Sequence, residues 1–169
     1  MVLRTMRKIK MVVGFLLVLC VVLAFAFILT RGSNVADEEL GREGRSKLHY
    51  AAADNDVDLV GQLIRSGQNI NLQDTHGFTP LHFAAQQQNL DAARILLEAG
   101  AVVDVKNKLG NTALLTAVLC SRGSGEMIQL LRKWRANPNA TNNYGVSPAS
   151  LARSIANFDI AQFFQDLPK

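Results

Sequence analysis

Gly44, Gly77 and Gly110 stand 33 residues apart, and Gly145 follows 35 residues after Gly110. A similar phrase comes shortly after each glycine: Ser46-Lys-Leu-His-Tyr-Ala-Ala52, Thr79-Pro-Leu-His-Phe-Ala-Ala85, Thr112-Ala-Leu-Leu-Thr-Ala-Val118 and Ser147-Pro-Ala-Ser-Leu-Ala-Arg153. A unit this short cannot bury its own apolar face, so copies must stack and share a continuous core. The longer third interval implies a two-residue insertion in that unit.

The second unit shows how the pattern reads locally. Thr79 suits a helix N-cap, and Pro80 suits the first helical position, where its missing N–H is no loss. Leu81, Ala84 and Ala85 then share one face, and the small alanines let a second helix approach closely. Asn89 opens that second helix, with Leu90, Ala93, Ile95, Leu96 and Leu97 expected to face inward. Gly100 supplies a left-handed stop, and residues 102–109 lead to the next glycine as a turn or hairpin.

With its Thr79-Pro-Leu-His-Phe-Ala signature and its period, the chain resembles the ankyrin repeat family. The resemblance implies an all-α solenoid of about four helix-turn-helix units, spanning 42–74, 75–107, 108–142 and 143–169. It also implies that His49 and His82, at the signature position, hydrogen-bond the turn backbone of a neighbouring unit. Polar residues of the first unit (Arg45, Lys47, Asp54, Asn55, Asp56, Asp58) are expected to cap one end of the stack. At the other end a helix, 157–164, is expected to lay Phe158, Ile160, Ala161, Phe163 and Phe164 onto the third unit.

A different material precedes the repeats. Residues 11–30, MVVGFLLVLCVVLAFAFILT, carry no charge and match the length a helix needs to cross a hydrocarbon core. Residues 1–10 hold Arg4, Arg7, Lys8 and Lys10, whereas the ten residues beyond the segment hold Arg31 with Asp37, Glu38 and Glu39. The positive-inside rule then keeps the N-terminus in the cytoplasm and exports the repeats, in a bacterium to the periplasm. The expectation is a transmembrane helix ahead of the solenoid, joined to it by a polar tether, 31–41. Cleavage as a signal peptide near Ala26 is the competing reading, against which the apolar run continues through Leu29. Cys20 follows the bulky Leu19, unlike a lipoprotein signal.

Composition restricts the partners. The net charge of +4 equals the four basic residues of the N-terminal flank, so the repeat body is formally neutral and lacks the basic face that nucleic acid requires. The run Arg132-Lys-Trp-Arg135 reads as a solvated helix end favoured by the dipole. With Cys20 in the apolar segment and Cys120 alone in the repeats, no disulfide staples the stack. His49, His76 and His82 lack metal-ligand spacing, Cys120 has no nearby base, and no phosphate-cradling glycine motif is present. No catalytic, cofactor-binding or metal residue is assigned.

A binding surface remains. In ankyrin repeats, partner contacts come from the tips beside the opening glycine and from the exposed face of the first helix. Carried onto this chain, the tips are Thr75, His76, Lys108, Leu109, Asn143 and Tyr144, and the helix-face positions are Arg45, Ala53, Asp54, Phe78, Gln86, Gln87, Asn111, Leu119, Val146 and Ile155. Phe78, Leu109, Leu119, Tyr144, Val146 and Ile155 are apolar where water is expected, which marks an interface; Leu119 and Ile155 also suit packing between units. The third unit departs from the family pattern in three places: Leu115 replaces the histidine, Arg135 stands at the helix-stopping glycine and is expected to force a rebuilt turn, and residues 121–125 form an inserted loop.

The last two units look like small bacterial ankyrin proteins, some of which resemble immunity proteins against antibacterial toxins. The leading expectation is a non-enzymatic, membrane-tethered, periplasm-facing module that binds one protein, in its most specific form a secreted toxin. The alternatives are a periplasmic ankyrin protein supporting an enzyme such as catalase, and a hydrolase with an unrecognised site.

Overall fold

The computed structural model describes residues 40–155 and 160–166, which fall within one unit, Glu38–Lys169. The expected membrane segment at 11–30, its basic flank and nearly all of the tether lie outside the described residues. Among the described residues no helix is long and apolar enough to cross a membrane.

Among the described residues seven α-helices follow one another: α1 Lys47–Asp54, α2 Val57–Arg65, α3 Pro80–Gln87, α4 Leu90–Glu98, α5 Ala113–Cys120, α6 Glu126–Lys133 and α7 Pro148–Ser154. Short 3-10 turns occur at Arg42–Gly44 and Ile160–Phe164, and no strand occurs among the described residues. The stretch 102–109 is therefore turn rather than paired strand. Helices α1, α3, α5 and α7 pack in sequence as an inner layer, while α2, α4 and α6 pack as an outer layer, each on the inner helix of its own unit.

Starts and stops follow from a few side chains. Ser46, Thr79, Thr112 and Ser147 precede the inner helices with extended backbone, and Pro80 and Pro148 occupy the first helical position. Ser147 forms a reciprocal box, its Oγ accepting the Ser150 amide at 3.1 Å while Ser150 Oγ accepts the Ser147 amide at 2.9 Å, which satisfies two otherwise orphaned donors. The outer helices end alike. Gly100 lies at φ 92° with the Ala101 amide bonded to the Leu96 carbonyl at 2.9 Å, and Arg135 lies at φ 63° with the Ala136 amide bonded to Leu131 at 3.0 Å. The expected rebuilding at Arg135 does not occur. The turn is kept, and Arg135 takes the left-handed conformation that costs an L-residue about 1–2 kcal/mol.

The core lies between the layers. Leu48, Leu81 and Leu114 repeat on the inner helices with Ala51, Ala84 and Ala117, and Val60, Leu96, Leu97, Ile128 and Leu131 face them from the outer helices; all are at most 2 % exposed. Alanine at the inner contact brings the helix axes close, as the sequence pattern requires. Leu90 and Ile95, expected inside, are half-buried at the edge of this core.

The fourth unit differs from expectation. In place of a helix over 157–164, the described part is the 3-10 turn Ile160–Phe164, with Ile160 and Phe164 buried and Ala161 and Phe163 half-buried; Phe158 lies outside the described residues. The turn packs on α7 and is tied to α6 through side chains. Arg132 donates to the Phe163 carbonyl and pairs with Asp166 at 2.5 Å, its guanidinium lies 5.3 Å from the Phe164 ring centre, and a Cβ at Gly125 would collide with the Phe163 ring.

Candidate protein-binding surface

The turns that open successive units are built by one side-chain oxygen each. Asp74 Oδ1 accepts the amides of His76 and Phe78 at 2.9 and 2.8 Å. Asn107 Oδ1 does the same for Leu109 and Asn111 at 2.9 and 3.0 Å, and Asn142 Oδ1 for Tyr144 and Val146 at 2.9 and 3.0 Å. Each tip is then bonded to the next through backbone: Thr75 to Glu43, Lys108 to His76 and Asn143 to Leu109, at 2.8, 3.0 and 3.0 Å. Glycine is needed where these tips touch. At Gly77, φ 82°, a Cβ would lie 2.9 Å from the Lys108 nitrogen, and at Gly110, φ 79°, 2.7 Å from that of Asn143.

Asp74 is the charged member of this series. Burial pushes its carboxyl up, but the Phe78 and His76 amides and the Arg45 guanidinium outweigh that and hold it below the ordinary carboxylate value. Arg45 meets it at 3.2 Å, pairs with Glu43 at 2.5 Å and lies 4.8 Å from the centre of the Phe83 ring.

The two signature histidines do what the resemblance implies. His49 Nδ1 accepts the Ser46 amide at 3.0 Å, which fixes the proton on Nε2, and that nitrogen donates to the Phe78 carbonyl of the next unit at 3.1 Å. His82 repeats the arrangement with the Thr79 amide at 3.2 Å and the Asn111 carbonyl at 3.0 Å. The hydroxyl of Thr79 turns to His82 Nδ1 at 2.9 Å, so the imidazole shares the capping role expected of Thr79 alone. Burial lowers both histidine pKa values, in keeping with two neutral rings.

The expected contact residues separate into two groups. Thr75, His76, Lys108, Leu109, Asn143 and Tyr144 are all exposed at the tips, and Asp54, Gln86, Gln87 and Leu119 are exposed on the inner helices. Tyr144 is 73 % exposed, Leu119 56 % and Leu109 47 %. The remaining positions are engaged within the molecule. Arg45 is held as described, and the Phe78 ring packs 5.6 Å from His82 and 5.7 Å from Phe83. Asn111 Oδ1 accepts from Asn142 at 2.9 Å. Val146 and Ala53 are half-buried, and Ile155 is half-buried against the core; this corrects the expectation that Phe78 and Val146 stand free in water, and for Ile155 it agrees with the packing alternative.

Sequence reasoning passed over other exposed apolar side chains among the described residues, besides Leu40 in the tether. Tyr50 lies on α1, while Val102 and Trp134 lie at the turns after the outer helices, 42, 54 and 38 % exposed. Counted by unit, Tyr50 stands at the position of Phe83 and Trp134 at that of Ala99, just before the helix stops Gly100 and Arg135.

Glu43, Asp74 and His76 bring ligand-type atoms within 4.8 Å of one another, but Asp74 already accepts from two amides and Arg45. Burial pushes the half-buried Cys120 thiol up, against a smaller opposing effect of Arg122, which disfavours the nucleophilic thiolate.

A family model for ankyrin repeats (3 copies) matches residues 48–164, from within α1 to the last residue of the final 3-10 turn. Comparison with curated proteins finds no match. Tips locked by Asp74, Asn107 and Asn142, histidines bridging successive units and the matched span agree, and the chain belongs to the ankyrin repeat family, whose members typically serve as protein–protein interaction modules rather than enzymes.

Proposed function

We propose that this chain holds one folded protein partner against its tips and the exposed face of its inner helices, while residues 11–30 anchor it in a membrane. The observation that carries the reading is the column His76, Leu109 and Tyr144. These three residues occupy one position in successive units, their amides are fixed by Asp74, Asn107 and Asn142, and two of the three are exposed and apolar. Side chains presented on backbone that is already ordered lose little freedom on binding, so more of the contact energy appears as affinity.

The membrane part rests on the uncharged 20-residue segment and on the basic residues before it. In a bacterium this topology puts the repeats in the periplasm, where an anchored inhibitor is concentrated beside the bilayer. The specific form of the proposal is an immunity protein that blocks a secreted toxin acting there.

Two measurements test it. A phosphatase fused after Lys169 is active only when exported, so activity with retention in the membrane fraction supports the topology, and an inactive fusion overturns it. Co-expression with the candidate toxin directed to the periplasm is tolerated with the native chain and lethal with a Leu109→Asp, Tyr144→Asp double variant. Equal survival with both chains rejects the tips as the binding surface.

A further inference from the structure

The junctions between units are closed by side chains, and one of them is incomplete. Between the first and second units, Asn89 Nδ2 donates to the Ala52 and Ala53 carbonyls at 3.0 and 2.7 Å, capping the end of α1, while Asn55 Oδ1 accepts the Ala92 amide at 3.1 Å. Between the second and third units, Gln88 Nε2 reaches the Ala117 carbonyl at 3.2 Å. The third unit has the inserted loop at 121–125 where the counterpart of Asn89 belongs. Its loop ends in Gly125, which has no side chain to return to the end of α3.

The result is an open cleft of about 620 Å³, with residues 86–88 on one wall and 119–122 on the other. Its chemistry is specific. Gln88 donates to two carbonyls through Nε2, which fixes the amide orientation and leaves its Oε1 buried without a hydrogen-bond partner among the described residues. Gln86 and Gln87 are exposed and offer both donors and acceptors. Leu119 supplies exposed apolar surface, and Arg122, exposed at φ 46°, puts a cation on the rim.

We propose that this cleft binds an extended peptide segment with an acidic residue and an apolar residue close together. A peptide backbone presents N–H and C=O groups in alternation, which suits the exposed amides of Gln86 and Gln87, each with a donor and an acceptor to offer. The apolar side chain lies on Leu119, and the carboxylate meets Arg122 as a charge-assisted pair. The inference rests on the reading of the chain as a protein-binding module, and it places one contact at the far end of α3 and α5 from the tips.

The test pans the full chain against a phage library of random dodecapeptides, then measures the recovered peptides against variants. The expected result is enrichment of sequences pairing Asp or Glu with a nearby apolar residue. Affinity should fall about tenfold or more for Leu119→Asp and for Arg122→Glu and stay unchanged for Glu98→Lys on an outer helix; Tyr144→Asp is measured alongside. Replacing the peptide's acid by lysine should restore binding to Arg122→Glu, a rescue that an unfolded variant cannot give. No enrichment, or binding indifferent to Leu119 and Arg122, overturns the cleft. Peptides lost only with Tyr144→Asp also overturn it while leaving the binding-module reading in place with the tips as its seat. That reading fails separately, in the co-expression experiment above.

Discussion

His82 ties the cap of its own helix to the next unit: its Nδ1 takes the Thr79 amide, and its Nε2–H reaches the Asn111 carbonyl 29 residues ahead at 3.0 Å. The ring is 1 % exposed, so neither bond is readily replaced by water. Replacing His82 with alanine strands the buried Thr79 amide and the Asn111 carbonyl, and a loss of about 2–4 kcal/mol is expected. Urea unfolding followed by circular dichroism measures it.

The same rings make the stack sensitive to acid. His49 and His82 have folded-state pKa values below the ordinary 6.5, so the unfolded chain binds protons first. Their contribution is fully present above about pH 6.5 and is lost as pH falls from there toward the folded values. The urea midpoint should be flat between pH 7 and 8 and drop between 6.5 and 5. A His49→Leu, His82→Leu variant is less stable at pH 7.5 but loses most of the drop. Leucine is the replacement because Leu115 occupies this position in the third unit and is buried there.

Asp74, Asn107 and Asn142 invite an exchange. Asp74→Asn keeps the oxygen that accepts two amides and gives up only the pairing with Arg45, so the expected loss is about 1 kcal/mol or less. Asp74→Ala leaves both amides without their acceptor and costs about 2–4 kcal/mol. The depressed Asp74 pKa adds stability that is present above the ordinary value near 3.8 and fades as pH falls through the lower folded value; Asp74→Asn removes that component. Denaturation midpoints of the two variants at pH 7 and pH 3.5 decide.

Gly110 and Gly145 share a left-handed backbone but not a neighbour. A Cβ at Gly110 meets the Asn143 backbone, whereas at Gly145 it meets nothing within 4 Å among the described residues. Gly145→Ala carries only the conformational term, about 1 kcal/mol or somewhat more. Gly110→Ala adds the displacement of the next tip and is expected to cost clearly more. The converse change, Arg135→Gly, relieves the left-handed arginine and should raise the thermal midpoint by an amount matching about 1 kcal/mol. Thermal melts of the three variants side by side give the ranking.

The repeat period, the inner-helix starts and the bridging histidines were legible because each depends on one residue type at a fixed offset: glycine where the backbone must be left-handed or touched, Ser or Thr at the cap, and His three residues after it in the first two units. Exposure was less legible. Phe78 and Arg45 read as free surface because nothing in linear order says that Phe83, His82 and Asp74 gather around them. Arg135 misled for a different reason, since the bonds from Arg135 to Arg132 and from Ala136 to Leu131 outweigh its preference for right-handed backbone. The cleft beside Leu119 was hidden because it arises from an absent partner, the counterpart of Asn89, and only the length of the inserted loop pointed there.

Site-specific photo-crosslinking in intact cells bears most heavily on the idea that backbone-locked tips grip a protein. A photoreactive amino acid at Tyr144, at Leu109 or at the exposed outer-helix position Glu98 leaves the stack unchanged. Irradiation should give one discrete protein adduct from positions 144 and 109 and none from position 98. No adduct from the tips, or the same adducts from all three positions, contradicts it.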